Sequence, residues 1–203
     1  MQYLFIALIG YGLGCSNMAV YLAALKGVAL RAGGSGNPGA SNAMILMGWK
    51  AGVIVGLHDI GKAVAAVLVC ELLFPAAPLA GALGGVACVL GHMFPFYLRF
   101  HGGKGFAFYL GMALALNWRA ALVIFLAVVI ITLVTDYVVI GTMTTVVSFP
   151  IYSALTGSRL TALLLSLVSL VIIYKHRMNL VRIRRGTEIG LRSANRGDHR
   201  ANK

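Results

Sequence analysis

The chain has 203 residues, of which 60% are hydrophobic and 11% are charged, with a mean hydropathy of +0.89. Soluble domains carry about 25% charged residues, so this composition excludes a disordered chain, a disulfide scaffold and most water-soluble enzymes. The net charge of +12 does not indicate a nucleic-acid partner, because nine of the 17 cations lie from Lys175 onward, behind a long apolar region.

Apolar runs separated by short polar breaks predict an all-α membrane protein with about seven transmembrane helices. In chain order the runs are Tyr3–Leu25, Ala43–Phe74, Leu79–Leu98, Phe106–Leu116, Ala120–Thr135, Tyr137–Leu155 and Leu160–Tyr174. The fourth run is shorter than the ~17–25 residues of an ordinary span, so it is a half-helix, a tilted helix or an extension of a neighbour. We expect a transmembrane domain at 1–174 and a basic tail at 175–203.

The distribution of cations predicts the orientation in the membrane. An odd number of crossings places the termini on opposite sides, and positively charged loops favour the cytoplasm. With the tail inside, only Arg119 and Arg159 lie outside. The inside cations are then the nine of the tail with Lys26, Arg31, Arg99 and Lys104. The N-terminus is outside, and loops 31–42 and 99–105 face the cytoplasm together with the tail.

The first polar loop is rich in glycine between Gly33 and Asn42. Such a loop leaves backbone N–H groups able to point at a ligand, and a helix beginning after it adds the positive end of its dipole. The candidate donors or caps are Ser35, Gly36, Asn37, Gly39, Ser41 and Asn42. The alternative is a flexible turn in which Ser41 or Asn42 caps the next helix.

The second polar loop, Arg99–Gly105, places Lys104 among the glycines Gly102, Gly103 and Gly105. Backbone donors can surround phosphate oxygens while an ammonium group supplies charge. The loop is not a Walker A motif, because its spacing differs and no Ser or Thr follows the lysine. The alternative is an inside-facing turn whose cations satisfy the positive-inside rule.

The tail combines cations with other polar groups. His176 and Asn179 share a face if the segment is helical, and Glu188 lies among arginines that it could organise. The arginines also suit a juxtamembrane helix at anionic lipid.

Ionisable residues also occur inside apolar runs, where they are costly. Asp59 and Lys62 either neutralise one another as a structural ion pair or contact substrate. His92 is either a buried hydrogen-bonding residue or part of the site. The three cysteines lack the spacing of a metal or redox motif, so no metal site is expected.

These segments resemble the bacterial integral-membrane acyl-phosphate:glycerol-3-phosphate acyltransferases. The resemblance is carried by Ser35–Asn42, Gly91–Pro95, Gly102–Gly105, His176–Asn179 and Gly186–Glu188. Their order and spacing, and the chain length, are also similar to that family. The resemblance implies a seven-helix enzyme of the bacterial inner membrane with its active site at the cytoplasmic face. It implies transfer of a fatty acyl group from acyl phosphate to the 1-hydroxyl of glycerol 3-phosphate, giving lysophosphatidate for phospholipid biosynthesis.

The resemblance also implies roles for individual residues. The expected catalytic residues are Ser35, Lys104, His176 and Asn179. The expected substrate- and phosphate-binding residues are Gly36, Asn37, Gly39, Asn42, Gly102, Gly103 and Gly105. Glu188 is expected to be structural and near the site. Asp59, Lys62 and His92 are expected to be structural and near the site as well, from their position in apolar runs rather than from the resemblance. Lys104 in particular is expected to hold glycerol 3-phosphate.

The implied chemistry requires no cofactor, because acyl phosphate is already activated. We expect direct attack by the acceptor hydroxyl, driven by proximity and charge stabilisation. His176 and a substrate phosphate are the two candidate proton acceptors. The acyl chain is expected to lie between helices, open to membrane lipids, and the protein is expected to be monomeric.

The chain departs from the family pattern at four positions. Ile45 and Asp136 stand where the family has arginine, Val139 where it has serine, and Phe108 where it has threonine. Charged hydrogen bonds contribute about 1.5–3 kcal/mol each, so these losses matter beside anionic substrates. The candidate compensating cations are Arg31, Lys50 and Arg99.

Two alternative functions follow from these departures. One is a paralogue with another phosphorylated acceptor or donor, and the other is a non-catalytic membrane protein that binds phosphate or lipid. A transporter is disfavoured, because the sequence has no convincing internal repeat and its polar motifs lie at one face.

Overall fold

The computed structural model describes residues 1–156 and 158–192, and within them the regular structure is helical. The helices are α1 (Gln2–Cys15), α2 (Met18–Leu25), α3 (Ala40–Met47), α4 (Trp49–Leu73), α5 (Ala80–Met93), α6 (Phe106–Leu116), α7 (Trp118–Thr135), α8 (Val138–Leu155) and α9 (Arg159–Arg184), with a 3-10 turn at Phe96–Leu98. Gly157, which lies between the predicted runs Tyr137–Leu155 and Leu160–Tyr174, and the tail cations Arg196, Arg200 and Lys203 lie outside the described residues.

Six helical stretches in the described part of the chain are long and apolar enough to cross a membrane. They are Gln2–Leu25, Trp49–Leu73, Ala80–Leu98, Trp118–Thr135, Val138–Leu155 and Arg159–Arg184. The fourth predicted run forms α6, which has only 11 residues and therefore a length of about 16 Å. It is a separate helix rather than an extension of a neighbour, since Gly105 precedes it and the extended residue Asn117 follows it.

The first predicted run is broken near its middle, between α1 and α2. Asn17 adopts an extended conformation, and its side-chain oxygen accepts a hydrogen bond of 3.1 Å from the amide of Val20. Asn17 therefore caps the N-terminus of α2, which is a common role of asparagine. The break leaves the carbonyl of Ser16 available to a side chain from elsewhere.

The predicted apolar run Ala43–Phe74 contains part of helix α3 and all of helix α4, of which α4 is long enough to cross a membrane. Gly48 lies between α3 and α4 with φ of 89°, a conformation that glycine adopts at little cost. A Cβ atom at Gly52 would lie 2.7 Å from the Cβ of Met44 and 3.2 Å from the carbonyl oxygen of Ala40. The short helix α3 therefore folds back along the beginning of α4.

The alternative reading of the first loop, in which Ser41 or Asn42 caps the next helix, is not what the structure shows. Gly39 is the N-cap residue, with φ of −150° and no side-chain cap. Ser41 and Asn42 both lie inside the first turn of the helix, so neither can cap it.

The chain divides into two compact units, Met1–Asn117 and a second that begins at Trp118. In the first unit α5 contacts α1, α4 and α6. In the second unit α8 contacts both α7 and α9. Helix α9 continues through the predicted domain boundary at 174 and ends at Arg184.

Helices α1 and α5 pack with their backbones in direct contact. A Cβ atom at Gly10 would lie 2.2 Å from the carbonyl oxygen of Gly84, and one at Gly14 would lie 2.0 Å from that of Cys88. Small residues four apart allow this close approach between apolar helices. Farther along, the hydroxyl of Tyr11 donates a hydrogen bond of 2.7 Å to the carbonyl of Phe94.

Replacing Gly14 with valine is predicted to destabilise the first unit. The added side chain meets a backbone carbonyl that cannot turn away, so we expect an overpacking cost of about 1–3 kcal/mol. The measurement is thermal unfolding of the purified protein in detergent. Gly12→Val is the matched control, because no atom lies within 4 Å of a Cβ at Gly12. Equal melting temperatures for the two variants would contradict the close packing of α1 and α5.

Candidate active site

The first glycine-rich loop is held by the side chain of Asn42, which is fully buried. Its Nδ2 donates a hydrogen bond of 2.8 Å to the carbonyl of Leu30, and its Oδ1 accepts one of 2.7 Å from the amide of Ser35. One asparagine in α3 therefore connects both ends of the loop. Asn42 is predicted to bind a ligand, and in the structure its side chain bonds to the backbone of the loop.

The other candidate residues of this loop differ in exposure. Ser35 is exposed, whereas Asn37 and Gly36 are half-buried and Gly39 is buried. The amide of Gly39 donates a hydrogen bond of 2.9 Å to the carbonyl of Asn37, which closes a tight turn directly before α3. The exposed residue Ser35 thus lies on a loop whose backbone is fixed by hydrogen bonds to Asn42 and within the turn before α3.

The second glycine-rich loop lies directly against the end of α5. The amide of Gly102 donates to the carbonyl of Met93 at 3.0 Å, and the amide of Gly103 donates to that of His92 at 3.2 Å. A Cβ atom at Gly102 would lie 1.9 Å from the carbonyl oxygen of His92, and one at Gly103 would lie 2.0 Å from its Nε2. The close packing leaves no space for side chains at these two positions.

Lys104 follows these two glycines and is half-buried. Gly105, the next residue, has φ of 87° and forms the N-cap of α6. Its carbonyl accepts a hydrogen bond of 2.9 Å from the amide of Tyr109, in the first turn of that helix. Lys104 is therefore placed between the end of α5 and the beginning of α6.

Two hydrogen bonds connect the first loop to its surroundings. The guanidinium of Arg31 donates a bond of 2.7 Å to the carbonyl of His101, which lies in the second loop. The Nδ2 of Asn17, a residue only 1% exposed, donates a bond of 3.1 Å to the carbonyl of Pro38. The two glycine-rich loops therefore lie side by side in the first unit.

The proposed ion pair between Asp59 and Lys62 is not formed in the described residues. The Nδ1 of His58 lies 3.6 Å from the carboxylate of Asp59, which is buried. The ammonium of Lys62 instead donates a hydrogen bond to the carbonyl of Ser16 at the break after α1. A carbonyl freed by the helix break is a good acceptor for this ammonium, which explains why the two residues have different partners.

In the second unit, the end of α9 turns back on itself. The amide of Gly186 donates to the carbonyl of Ile183 at 3.0 Å, and the amide of Thr187 donates to that of Arg182 at 2.9 Å. With φ of 68° at Gly186, this is a Schellman motif, a common helix ending. The turn brings Glu188 back alongside the last part of the helix.

Glu188 links two side chains of α9. Its carboxylate accepts a hydrogen bond from Nδ2 of Asn179 and one of 2.6 Å from Nε of Arg182. Asn179 is 8% exposed, so this contact fixes the position of a buried amide. The structural role expected for Glu188 fits these contacts.

His176 is buried one turn before Asn179. Its Nδ1 lies 2.9 Å from the carbonyl oxygen of Ile172. A carbonyl can only accept, so Nδ1 carries a proton, and in the neutral imidazole Nε2 is the nitrogen with the lone pair. The ring is therefore oriented with its basic nitrogen directed away from the helix backbone.

Asp136, which stands where the resemblance implies arginine, has contacts of its own. It lies between α7 and α8 with φ of 68°. Its carbonyl accepts a hydrogen bond of 2.8 Å from the amide of Leu191, and its carboxylate accepts one of 2.8 Å from the amide of Arg192. The Nε of Arg192 lies 3.9 Å from the same carboxylate. A guanidinium therefore lies beside position 136, although position 136 itself is acidic.

The other three departures are apolar residues in packed surroundings. Phe108 is fully buried and Val139 is 5% exposed. A Cβ atom at Gly34 would lie 3.3 Å from Cγ2 of Ile45, so Ile45 lies against the first loop. No hydrogen-bonding group remains at these side chains.

Several residues that position the loops are not among the predicted site residues. Asn17 and Tyr11 lie inside the predicted run Tyr3–Leu25, and Arg192 is one of the tail cations. The dipeptide Ser16-Asn17 is the available signal, since asparagine in an apolar run is a preferred N-cap. No comparable local signal points to Arg192, whose partner lies 56 residues earlier.

Comparison with known proteins gives one consistent family. The family model described as Glycerol-3-phosphate acyltransferase matches residues 4–186. Glycerol-3-phosphate acyltransferase 1 of Oceanobacillus iheyensis is 34% identical over 190 residues, which cover 90% of this chain and 92% of that protein. The glycerol-3-phosphate acyltransferase of Aquifex aeolicus is 36% identical over 189 residues, which cover 93% of this chain and 98% of that protein.

Two solved structures are also similar to this chain. Both are of PlsY (YgiH), described as an integral membrane glycerol 3-phosphate acyltransferase. Its glycerol 3-phosphate form has a TM-score of 0.87 and 34% identity, covering 94% of this chain and 96% of that chain. Its lysophosphatidic acid form has a TM-score of 0.84 and 33% identity, covering 94% and 95%. The family resemblance read from the motifs is confirmed.

Asn42→Leu is predicted to loosen the first loop. Leucine has a similar volume but leaves the amide of Ser35 and the carbonyl of the buried Leu30 without these bonds. A buried polar group left unpaired costs about 1–3 kcal/mol. We expect a lower melting temperature and faster hydrogen exchange in residues 33–42. The control is Ser41→Ala at the exposed neighbouring position. Identical exchange in the two variants would contradict the bridging role of Asn42.

Proposed function

This all-α membrane protein belongs to the glycerol-3-phosphate acyltransferase family, and we propose that it uses acyl phosphate as its acyl donor. The acyl group passes to the 1-hydroxyl of glycerol 3-phosphate, and the products are lysophosphatidate and inorganic phosphate. The observation that carries this proposal is the pairing of two glycine-rich loops through Arg31 and the carbonyl of His101, with Lys104 in the second loop. Both substrates carry phosphate, which such loops suit.

Lys104 is proposed to bind the phosphate of glycerol 3-phosphate. Its backbone is fixed on both sides, by the bond from Gly103 to His92 and by the N-cap role of Gly105. A fixed backbone reduces the entropy lost when an ammonium orders around a phosphate. The exposed hydroxyl of Ser35 and the half-buried amide of Asn37 are proposed as further donors from the first loop.

The residues proposed in the second unit are His176 and Asn179. The amide of Asn179 is held by Glu188, which fixes the direction of this side chain, and Asn179 is proposed to position a substrate or its phosphate. We assign the proton of the attacking hydroxyl to Nε2 of His176, because Nδ1 already donates to the backbone. The alternative acceptor is a phosphate oxygen of a substrate.

The proposed reaction is a direct acyl transfer. The hydroxyl oxygen of the acceptor forms a bond to the acyl carbon, the bond from that carbon to the phosphate oxygen breaks, and phosphate leaves with the electron pair. The hydroxyl proton passes to Nε2 of His176 or, in the alternative, to a phosphate oxygen of a substrate. Holding both reactants in position, and stabilising the negative charge with Lys104, supplies the rate enhancement. This acyl transfer balances without a cofactor. A single chain carries both of the paired loops, which favours a monomer as the active unit.

The donor is tested with purified protein, labelled glycerol 3-phosphate and palmitoyl phosphate, with acyl-CoA and acyl carrier protein as parallel donors. We expect lysophosphatidate from acyl phosphate alone. Lys104→Ala and His176→Ala are each expected to lower the rate by about 100-fold, as the loss of a charge-stabilising or proton-accepting group does. Lys26→Ala removes an exposed lysine outside both glycine clusters and serves as the control.

The possible results separate the alternatives. Full activity of Lys104→Ala would contradict the role of the second loop. Turnover with acyl-CoA but not with acyl phosphate would contradict the proposal that acyl phosphate is the acyl donor. Binding of glycerol 3-phosphate without turnover on any donor would favour a non-catalytic protein, to which the changes at Ile45 and Asp136 would then contribute.

The proposed topology has seven crossings in the inner membrane, with the N-terminus outside and the active-site loops in the cytoplasm. The critical element is α6, whose length of about 16 Å is about half the ~30 Å hydrocarbon thickness. If α6 did not cross, an N-terminus outside would also place the tail outside, against the positive-inside rule. A crossing by α6 keeps the tail cations and Lys104 on one side of the membrane.

Cysteine labelling of intact cells tests this topology. The native cysteines are buried, so they give a low background. A membrane-impermeant thiol reagent is expected to label Arg119→Cys but not Phe100→Cys, and both should react after permeabilisation. The two sites lie on either side of α6 and are both exposed. Labelling of Phe100→Cys in intact cells would overturn the orientation, and equal protection of both sites would show that α6 does not cross.

A further inference from the structure

The aromatic ring of Phe108 contacts two polar side chains in the interior of the first unit. Phe108 is fully buried. It stacks on the imidazole of His92, with ring centroids 4.1 Å apart and planes inclined by 30°. The ammonium of Lys62 lies 4.6 Å from the centroid of the same ring. A phenylalanine therefore joins a cation on α4 to a histidine at the end of α5.

Lys62 is held in this place by a second contact. Its ammonium donates a hydrogen bond to the carbonyl of Ser16, where the chain breaks between α1 and α2. An ammonium inside an apolar helix is costly, so its presence points to a functional role. In the described residues Asp59 forms no direct salt bridge with Lys62, and its carboxylate lies 3.6 Å from Nδ1 of His58. The direct contacts of the ammonium are those with the Ser16 carbonyl and the Phe108 ring.

His92 in turn contacts the second loop at Gly103. Its carbonyl accepts the hydrogen bond from the amide of Gly103, and its Nε2 occupies the space that a Cβ atom at Gly103 would need. Lys104 is the next residue along the chain. A shift of the imidazole would therefore move the backbone from which the side chain of Lys104 extends.

We propose that Lys62 is a positioning residue, which holds the Gly102–Gly105 loop in place through the rings of Phe108 and His92. The proposal rests on the proposed function, because it gives Lys62 a purpose only where Lys104 binds phosphate. The contacts form a continuous series from the Ser16 carbonyl to the backbone of Gly103. Lys62 acts on the substrate through Lys104 and not by direct contact.

The first test measures the loop itself, by hydrogen exchange in the full-length protein in detergent. The amides of Gly102 and Gly103 are bonded to α5, so their exchange reports the position of the loop. Lys62→Met, which keeps the length but removes the charge and the donor, is expected to speed exchange there about tenfold, with residues 2–12 of α1 unchanged. Lys62→Arg keeps a cation and is expected to restore slow exchange.

A double-mutant cycle tests the route through the ring. Phe108→Leu removes both ring contacts, whereas Phe108→Tyr keeps the ring and is the conservative control. Adding Lys62→Met to Phe108→Leu is expected to change loop exchange little further, because the connection is already broken. Multiplicative effects of the two changes would show independent roles and overturn the proposal, as would unchanged exchange in a folded Lys62→Met protein.

The kinetic measurement links the loop to the reaction. Lys62→Met is expected to raise KM for glycerol 3-phosphate about tenfold with a smaller change in kcat, and Lys62→Arg is expected to recover most of the loss. A fall in kcat alone would contradict positioning of the acceptor site. If the wild-type protein shows no turnover, the proposed function fails, but loop exchange still decides the role of Lys62. If Lys62→Met does not fold, loop exchange in Lys62→Gln, which keeps a hydrogen-bond donor but no cation, decides it, and exchange as slow as in the wild type would overturn the proposal.

Discussion

The backbone of the second loop lies directly on the end of α5, and the position of the candidate phosphate-binding lysine depends on that contact. Gly102 and Gly103 donate hydrogen bonds to the carbonyls of Met93 and His92. Gly103 is buried, and buried backbone groups must find hydrogen-bond partners within the protein. Bonding the loop to a helix end satisfies those groups and at the same time fixes the chain on which Lys104 is carried.

The end of α5 is in turn placed by its packing against α1. Apolar burial gives little preference for one helix contact over another within lipid, so close packing and hydrogen bonds decide. Gly10 and Gly14 allow the two backbones to touch, and Tyr11 donates to the carbonyl of Phe94 after α5. The first loop is held in place by Asn42 and Arg31, two polar side chains that donate hydrogen bonds to backbone carbonyls. Small residues and a few polar side chains therefore build this part of the protein.

The departures from the family pattern have structural uses in this chain. Phe108, where the resemblance implies threonine, stacks on His92 and lies beside Lys62. Asp136, where the resemblance implies arginine, binds the backbone amide of Arg192, whose guanidinium lies beside it. Both side chains thus have partners that suit them, because an aromatic face and a carboxylate select different groups.

The sequence by itself determined the all-α membrane class, the family, and the two glycine-rich loops with Lys104 between glycines. These features depend on hydropathy, on local spacing and on residue types within a few positions of one another. Only the tertiary structure decided the break at Asn17, the cap at Gly39, the carbonyl that Lys62 binds and the stacking of Phe108 on His92. Those outcomes depend on which groups meet across the fold. Lys62 and Ser16, for example, are 46 residues apart, and a chain pattern cannot tell whether a buried ammonium will find a carboxylate or a free carbonyl.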